Sequence, residues 1–360
     1  MSILTRRAGA EGGPGGPGGA ATGDGRQARR AAAMVFRVRE LGIIVVLAVF
    51  VVVTASIQPR FLDAQNIQFV LVDTTVFAFL ALGETIVVVS RNVDLSVGSV
   101  LGLSAFLSAN LFKQVPGIPV PVVFLAGLGI GLACGIVNGA IVAIGRVPSL
   151  VVTLATLYIF RGLDVLIVGG GQVTAGSLPS SFAEIPKATV LGIPVLAIVI
   201  AVVVAIGAYY MRSFRSGREL YAIGSKPEAA RLAGIPVGKR VFTAFAVSGA
   251  IAGVAGVLWA AYYGTVESNA GTGYELQVIA AVVVGGVAIF GGSGSAVGAA
   301  LGALLLNTIT SALYVLGISP FWDQAIAGFL LLLAISLDRG IQVWLVSALR
   351  GHGDRSAGGT

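Results

Sequence analysis

Ten apolar runs, most of them long enough to cross about 30 Å of hydrocarbon, follow one another through this sequence with only short polar breaks between them. They cover residues 41–57, 67–90, 97–111, 120–144, 149–168, 194–210, 242–263, 274–289, 294–316 and 321–337. A segment in lipid has no water to satisfy its backbone N–H and C=O groups, so runs of this kind fold as helices. The expected fold class is an all-α integral membrane protein of about ten transmembrane helices. Composition agrees, with 56% of the 360 residues apolar, 11% charged and a mean hydropathy of +0.95. A water-facing surface cannot be built from that, which disfavours a soluble enzyme, a nucleic-acid reader and a disordered regulator. One cysteine, Cys134, and one histidine, His352, leave nothing from which to build a disulfide, a Cys/His metal site or a histidine-dependent triad. No catalytic or metal-binding set is therefore expected.

The net charge of +7 would suit a nucleic-acid partner, but the positions of the 23 lysines and arginines argue otherwise. With the N-terminus inside, 19 of them fall on the inner side. Only Arg60, Lys113 and Lys187 fall outside, and Arg161 lies within a span. The asymmetry follows the positive-inside rule and predicts that both termini are cytoplasmic. Orientation and contact with anionic membrane lipid account for most of the basic excess, with no nucleic acid involved.

Residues 1–33, which include GGPGGPGG and a cluster of arginines, hold too few apolar side chains to offset the entropy of ordering and read as a disordered cytoplasmic tail. The first apolar run is a full span, not the short stretch of a signal peptide. The transmembrane domain is expected over 34–340, with 211–240 as its sizeable cytoplasmic loop and 341–360 as a cytoplasmic C-terminal tail.

Glycines recur four apart at Gly127, Gly131, Gly135 and Gly139 in the fourth run, and at Gly294, Gly298 and Gly302 entering the ninth. Residues four apart share a helix face, and missing side chains let a neighbouring backbone approach closely. Charges inside spans are costly and mark candidate functional positions. Asp73 and Glu84 are 11 residues apart in the second run, about 20° apart in azimuth, so they share a face. Lining a pathway and simply being packed in are both open to them. Arg161 and Asp164 are spaced to form a neutralising pair. Glu275 and Asp323 sit at outer span ends, where hydration or capping suffices.

The string SRNVDLSVGS at 90–99 interrupts an apolar stretch, and Asp94 or Ser96 is placed to cap the helix that follows. Broken spans often line translocation paths. In the 211–240 loop, Ser225 to Glu228 has capping-box spacing, Pro227 suits a first helical turn, and Gly234 with Pro236 ends the element. The sequence GIPVGKR at 234–240 has the wrong spacing for a phosphate-binding P-loop, so no ATP hydrolysis is expected of this chain.

The string GRELYAIGSKPEAARLAGI at 217–235 resembles the cytoplasmic coupling loop of permease subunits of bacterial sugar ABC importers, the ribose/xylose/rhamnose/autoinducer-2 family. DLSVGS at 94–99, PSLVVTLATL at 148–157 with Arg161 and Gly162, GTGYE at 271–275 and IFGGSG at 289–294 agree with it, over a region from about Phe61 to Asp338. The 90–99 string is most similar to the rhamnose and autoinducer-2 branch. The resemblance implies a bacterial cell-membrane subunit that is not itself an enzyme. Its partners would be a second permease chain, an ABC ATP-binding subunit carrying ATP and Mg, and an extracytoplasmic sugar-binding protein. It also implies coupling to the ATPase through Gly217, Arg218, Glu219, Tyr221, Ala222, Gly224, Ser225, Pro227, Glu228, Ala229, Arg231 and Gly234. Polar residues on the surrounding spans, Asp73, Glu84, Asn92, Asp94, Ser96, Ser99, Glu275 and Asn307, are the candidate lining of a sugar path. The competing expectation is a secondary transporter in which Asp73 and Glu84 carry protons or a cation.

Overall fold

A computed structural model describes residues 40–169, 171–319 and 321–336. The tail at 1–33, the segment 341–360 and the expected cytoplasmic placement of both termini fall outside those residues. The described residues are mostly helical. The principal helices are α1 (Glu40–Ile57), α2 (Ala64–Val89), α3 (Val97–Gln114), α4 (Val120–Ala143) and α5 (Ser149–Val168). After a one-turn α6 (Ser180–Ala183) come α7 (Val195–Ser213), α8 (Arg215–Ser225), α9 (Pro227–Leu232), α10 (Val237–Tyr263), α11 (Tyr274–Val284), α12 (Ala296–Val315) and α13 (Trp322–Ser336). Each of the ten apolar runs thus contains a helix.

Seven of these helices, α1, α2, α4, α5, α7, α10 and α12, are long and apolar enough to cross a membrane. The other three runs fall short of that length or apolarity. In α3, Asn110, Lys113 and Gln114 near the C-terminal end lower the hydropathy, while Ser99, Ser104 and Ser108 are buried. Helix α11 spans only 11 residues, because Gly285 and Gly286 (φ +88°) turn the chain out of the helix. Helix α13 belongs to the shorter apolar helices as well.

Two helices organise the bundle. Along α2, every residue from Val72 to Val89 is buried, enclosed chiefly by α7, α10, α11 and α12. Helix α10 lies between α2, α3 and α4, and its crossing with α4 is the most extensive in the molecule. There the glycine ladder meets a second one. A Cβ added to Gly131 would lie 2.6 Å from Gly253 N and 2.7 Å from its Cα, and one on Gly249 would lie 2.7 Å from Gly135 Cα. Lipid tails are as apolar as leucine, so helix pairs in lipid are held by close van der Waals fit rather than water exclusion, and paired glycines give that fit. The second ladder begins one step later than the spacing suggests. Gly298 and Gly302 face Gly285 and Ala281 of the α11 end, but Gly294 (φ +141°) precedes the helix and packs on Val287.

The connection from α5 to α7 folds over the end of the bundle at which α3 finishes. It places the fully buried Phe182 against Phe112, with ring centroids 4.9 Å apart, and closes with a two-residue hairpin, Thr189–Val190 with Ile193–Pro194. Opposite, α8 and α9 lie at the end where α2 finishes.

Candidate functional site

Three arrangements carry the polar chemistry of the bundle. The first is the break between α2 and α3. A chain turning inside apolar surroundings must find partners for its freed N–H groups, and here carboxylates supply them. Glu84 Oε1 accepts the Asp94 N–H at 3.0 Å. Asp94 Oδ1 accepts both the backbone N–H of Ser96, at 2.9 Å, and its hydroxyl, at 2.6 Å. Asn138 on α4 donates to Ser96 Oγ at 2.8 Å, and the Ser99 hydroxyl donates to Ser96 O at 2.8 Å. Of the two capping candidates Ser96 is the N-cap, but its side chain makes no cap bond. The cap-like bond comes from Asp94. Glu84, Asp94, Ser96 and Ser99 are all buried and line neither cavity described below. The side chain of Asn92 instead folds back on Ser90, at 3.0 Å from both its carbonyl oxygen and its Oγ.

The second arrangement is a cavity of about 730 Å³ at the opposite end of α2. Its wall brings Asp73 and Phe77 of α2 together with Tyr263, Tyr274, Gln277, Asn307, Thr310 and Asp323. Tyr263 donates its hydroxyl to Asp73 Oδ1 at 2.9 Å. With its amide nitrogen toward Asp73, Asn307 donates to Oδ2 at 3.3 Å and accepts the Thr74 N–H at 3.0 Å. Asp323 accepts the Thr310 hydroxyl and the Gln277 amide. Aromatic rings back these groups: Phe77 and Tyr274 lie 4.5 Å apart, as do Trp259 and Tyr263. Asp73 and Glu84 share a face of α2 as predicted, yet about 16 Å of helix axis separates them and each is engaged by a different partner set. The structure does not bring them together as a relay.

Asp323 stands in the first turn of α13, at a span end as expected, and its carboxylate also joins this wall. Arg161 and Asp164 form the expected ion pair, at 4.0 Å. The hydrogen bonds of the guanidinium go to the carbonyls of Ala270 and Ser268, tying α5 to the loop before α11. Glu275 accepts the Gly273 N–H at 3.3 Å, a capping-type bond, while its other oxygen packs on Gly98 of α3 with no hydrogen-bond partner among the described residues.

The third arrangement is the α8–α9 pair. The loop contains two helices, not the single short one expected, because Leu220 and Ile223 give 215–225 a buried apolar side. Ser225 is not a cap. It ends α8, and Lys226 occupies the N-cap of α9 without a side-chain bond. Pro227 does open α9, and Gly234 (φ +76°) follows its end. Glu219 is held between two arginines, with Arg240 Nε at 2.5 Å and Arg215 Nε at 2.8 Å. These bonds, the Arg240 one first, hold its carboxyl below the usual glutamate range. Tyr221 donates to the Gly294 carbonyl at 3.0 Å, and burial pushes its hydroxyl up to about 12.

Gly224 meets the end of α2. A Cβ there would strike the Val89 carbonyl and the Gly292 N–H, which are themselves bonded at 2.9 Å. Gly217 is pressed in the same way against Met211. The twelve coupling candidates therefore divide. Gly217, Glu219, Tyr221 and Gly224 fasten the element to the bundle, with Pro227 half-buried beside them. Arg218, Ala222, Ser225, Glu228, Ala229, Arg231 and Gly234 are exposed, together with Leu232, 91% of whose surface is open.

A depressed carboxyl stabilises the fold fully above the ordinary glutamate range and loses that contribution as pH falls through its lowered value. Limited proteolysis within 212–240 should therefore stay slow from pH 7 to about 5 and accelerate below about 4, whereas Glu219→Gln should be cleaved at a rate independent of pH. Identical profiles for the two proteins would show that the arginine bracket does not hold α8.

No local motif marks Tyr263, Tyr274, Gln277, Thr310 and Asp323 as one site; the sequence shows only polar and aromatic residues near the ends of several runs.

The family model described as "Branched-chain amino acid transport system / permease component" matches residues 66–335. An autoinducer 2 import system permease protein LsrC from Enterobacter sp. (strain 638) is 36% identical over 301 residues, 83% of this chain and 86% of that protein. LsrC of Escherichia coli (strain K12 / DH10B) is 33% identical over 312 residues, covering 87% of this chain and 90% of the relative. The autoinducer 2 import system permease protein LsrD of Escherichia coli (strain K12) is 33% identical over 316 residues, 85% and 95% of the two chains. No solved structure gives a significant match.

Proposed function

The chain belongs to the permease-component family, and from that membership we propose that it is the translocating subunit of an ATP-driven importer for a small sugar-like solute of the autoinducer-2 type. In this reading a separate ATP-binding subunit hydrolyses ATP and an extracytoplasmic binding protein delivers the solute. A second permease chain completes the path. The observation that carries the reading is the pairing of two features at opposite ends of α2. One is a cavity walled by Asp73, Asn307, Gln277 and aromatic rings. The other is an exposed α8–α9 face fastened to the end of the same helix through Gly224 and Val89.

The cavity suits a polyhydroxylated solute on chemical grounds. Carboxylates accept hydroxyl hydrogens, amides both donate and accept, and aromatic faces cover the apolar faces of a sugar-like ring. A volume of about 730 Å³ is in the range of small-molecule sites. Movement of α8–α9 on an ATPase would reach α2 through backbone contacts at Val89, Gly224 and Gly292, where no flexible side chain intervenes. Gating then amounts to a shift of the central helix, with the glycine-faced α4–α10 crossing as the surface along which neighbours slide.

Reconstitution of the chain with its ATPase and binding protein in liposomes tests this. Uptake should require ATP and all components. Uptake driven by a proton or cation gradient without the ATPase would refute it in favour of a secondary transporter. Within the working system, Asp73→Leu should lower uptake about tenfold or more, as expected when a charged hydrogen-bonding group is removed, while Asp73→Asn retains most of it. Equal rates for the two variants would remove Asp73 from the path.

A further inference from the structure

We propose that a second cavity, at the α8–α9 end of the bundle, binds the phosphate headgroup of an anionic phospholipid through Arg91, Arg146 and Arg231. This cavity, about 650 Å³, opens where the α2–α3 break, the α4–α5 turn and the start of α10 meet α9. Its wall holds those three arginines and no carboxylate, with Ser90, Asn92 and Ser149 as further polar groups. None of the three arginines is ion-paired among the described residues, whereas Arg215, Arg240 and Lys187 all have acidic partners. Ser149, which contributes to the same wall, opens α5.

The backbone supports a built arrangement. Among the described residues only three non-glycine positions have positive φ, and two of them are Arg91 (φ +67°) and Arg146 (φ +57°). Side chains rarely adopt that conformation, so such positions call for a local reason. At Arg91 the turn is fixed by its N–H bond to the Val88 carbonyl at 2.8 Å and by the close approach of Gly291, where a Cβ would lie 2.8 Å from Arg91 N. Both arginines thus stand on turns that present them at one cavity, with Arg231 supplied from α9.

Guanidinium groups recognise phosphate oxygens through paired donors, and basic pockets between membrane helices take acidic headgroups. The surroundings favour a lipid over a soluble phosphate. Val142, Val147, Pro148, Ile223 and Val241 complete the wall. Directly beside it, Ile144, Leu150 and Val151 at the ends of α4 and α5 are exposed, which gives acyl chains a surface to follow. A bound headgroup would join α9 to the α4–α5 turn and brace the element assigned to ATPase coupling.

Native mass spectrometry of the full chain, purified in detergent with equal phosphatidylglycerol and phosphatidylcholine, tests the assignment. Phosphatidylglycerol should be retained at least fivefold more strongly, and each of Arg91→Gln, Arg146→Gln and Arg231→Gln should weaken its retention about fivefold, the effect of about 1 kcal/mol per cation. Arg212→Gln, an equal loss of charge outside the cavity, should leave retention unchanged. Equal retention of the two lipids by the wild-type chain, a measurement that needs no variant to fold, would overturn the proposal. So would unchanged retention in folded glutamine variants, even if they lose the ATPase instead, or displacement of the lipid by an equal concentration of inorganic phosphate.

Discussion

Replacing Gly131 by leucine should leave essentially no folded protein in the membrane, while the same replacement at Gly129, two residues away on the same helix, should be tolerated. The contrast follows from the α4–α10 crossing. At Gly131 even a single Cβ would collide with the Gly249 carbonyl and with the backbone of Gly253, and backbone atoms of a regular helix cannot step aside as a side chain can. At Gly129 nothing lies within 4 Å of an added Cβ. Overpacking by one or two methylenes costs about 1–3 kcal/mol, and an isobutyl group driven between two backbones costs more. With a total stability of about 5–15 kcal/mol, Gly131→Ala should survive with reduced thermal stability and Gly131→Leu should not. Size-exclusion chromatography of the detergent-extracted variants reads the outcome. A monodisperse Gly131→Leu protein with wild-type yield would mean that this crossing does not hold the bundle.

The second large effect is expected at the exposed face of α9. Leu232→Arg should reduce ATPase-dependent uptake about thirtyfold or more, the size seen when a central interface residue is lost, while yield and melting temperature stay at wild-type values. Leu232 is 91% exposed, so its side chain makes little contact among the described residues, and on the docking face proposed for α9 it is open to a partner. Glu228→Arg, also on the open side, should act in the same direction. Gly224→Trp belongs to a different class. It looks from sequence like a docking-face substitution, but the glycine faces the end of α2, so tryptophan there should lower the yield of folded protein before any docking is tested. Undiminished uptake by Leu232→Arg would separate α9 from the ATPase.

Much of this was legible in the sequence because the membrane leaves few choices. Where backbone groups have no water, apolar runs must be helices, and each predicted run contains one. Glycines four apart must share a face, and the ladder at Gly127 to Gly139 meets α10 along its whole length. Pro227 and Gly234 bound α9 because one fixes φ for a first turn and the other accepts the left-handed residue after it. Where the reading fell short, the deciding partner was distant in sequence. Periodicity put Asp73 and Glu84 on one face, but Tyr263 lies 190 residues from Asp73, and nothing local to either residue announces that contact. Arg161 pairs with Asp164 at 4.0 Å as the spacing suggests, but its hydrogen bonds go to the carbonyls of Ser268 and Ala270, more than 100 residues away.

The sequence by itself determined the helical character, the approximate positions of the spans, the close crossing at the glycine ladder and the family, since each follows from short-range constraints or from an ordered set of local strings. Only the tertiary structure decided which polar residues wall a cavity and which ones close a turn inside the bundle. It also decided which side of α8 is open and which residues gather around Arg91, Arg146 and Arg231. Helix packing brings together side chains from runs far apart in the chain, and a one-dimensional pattern carries the period of each run without the angle at which it meets its neighbours.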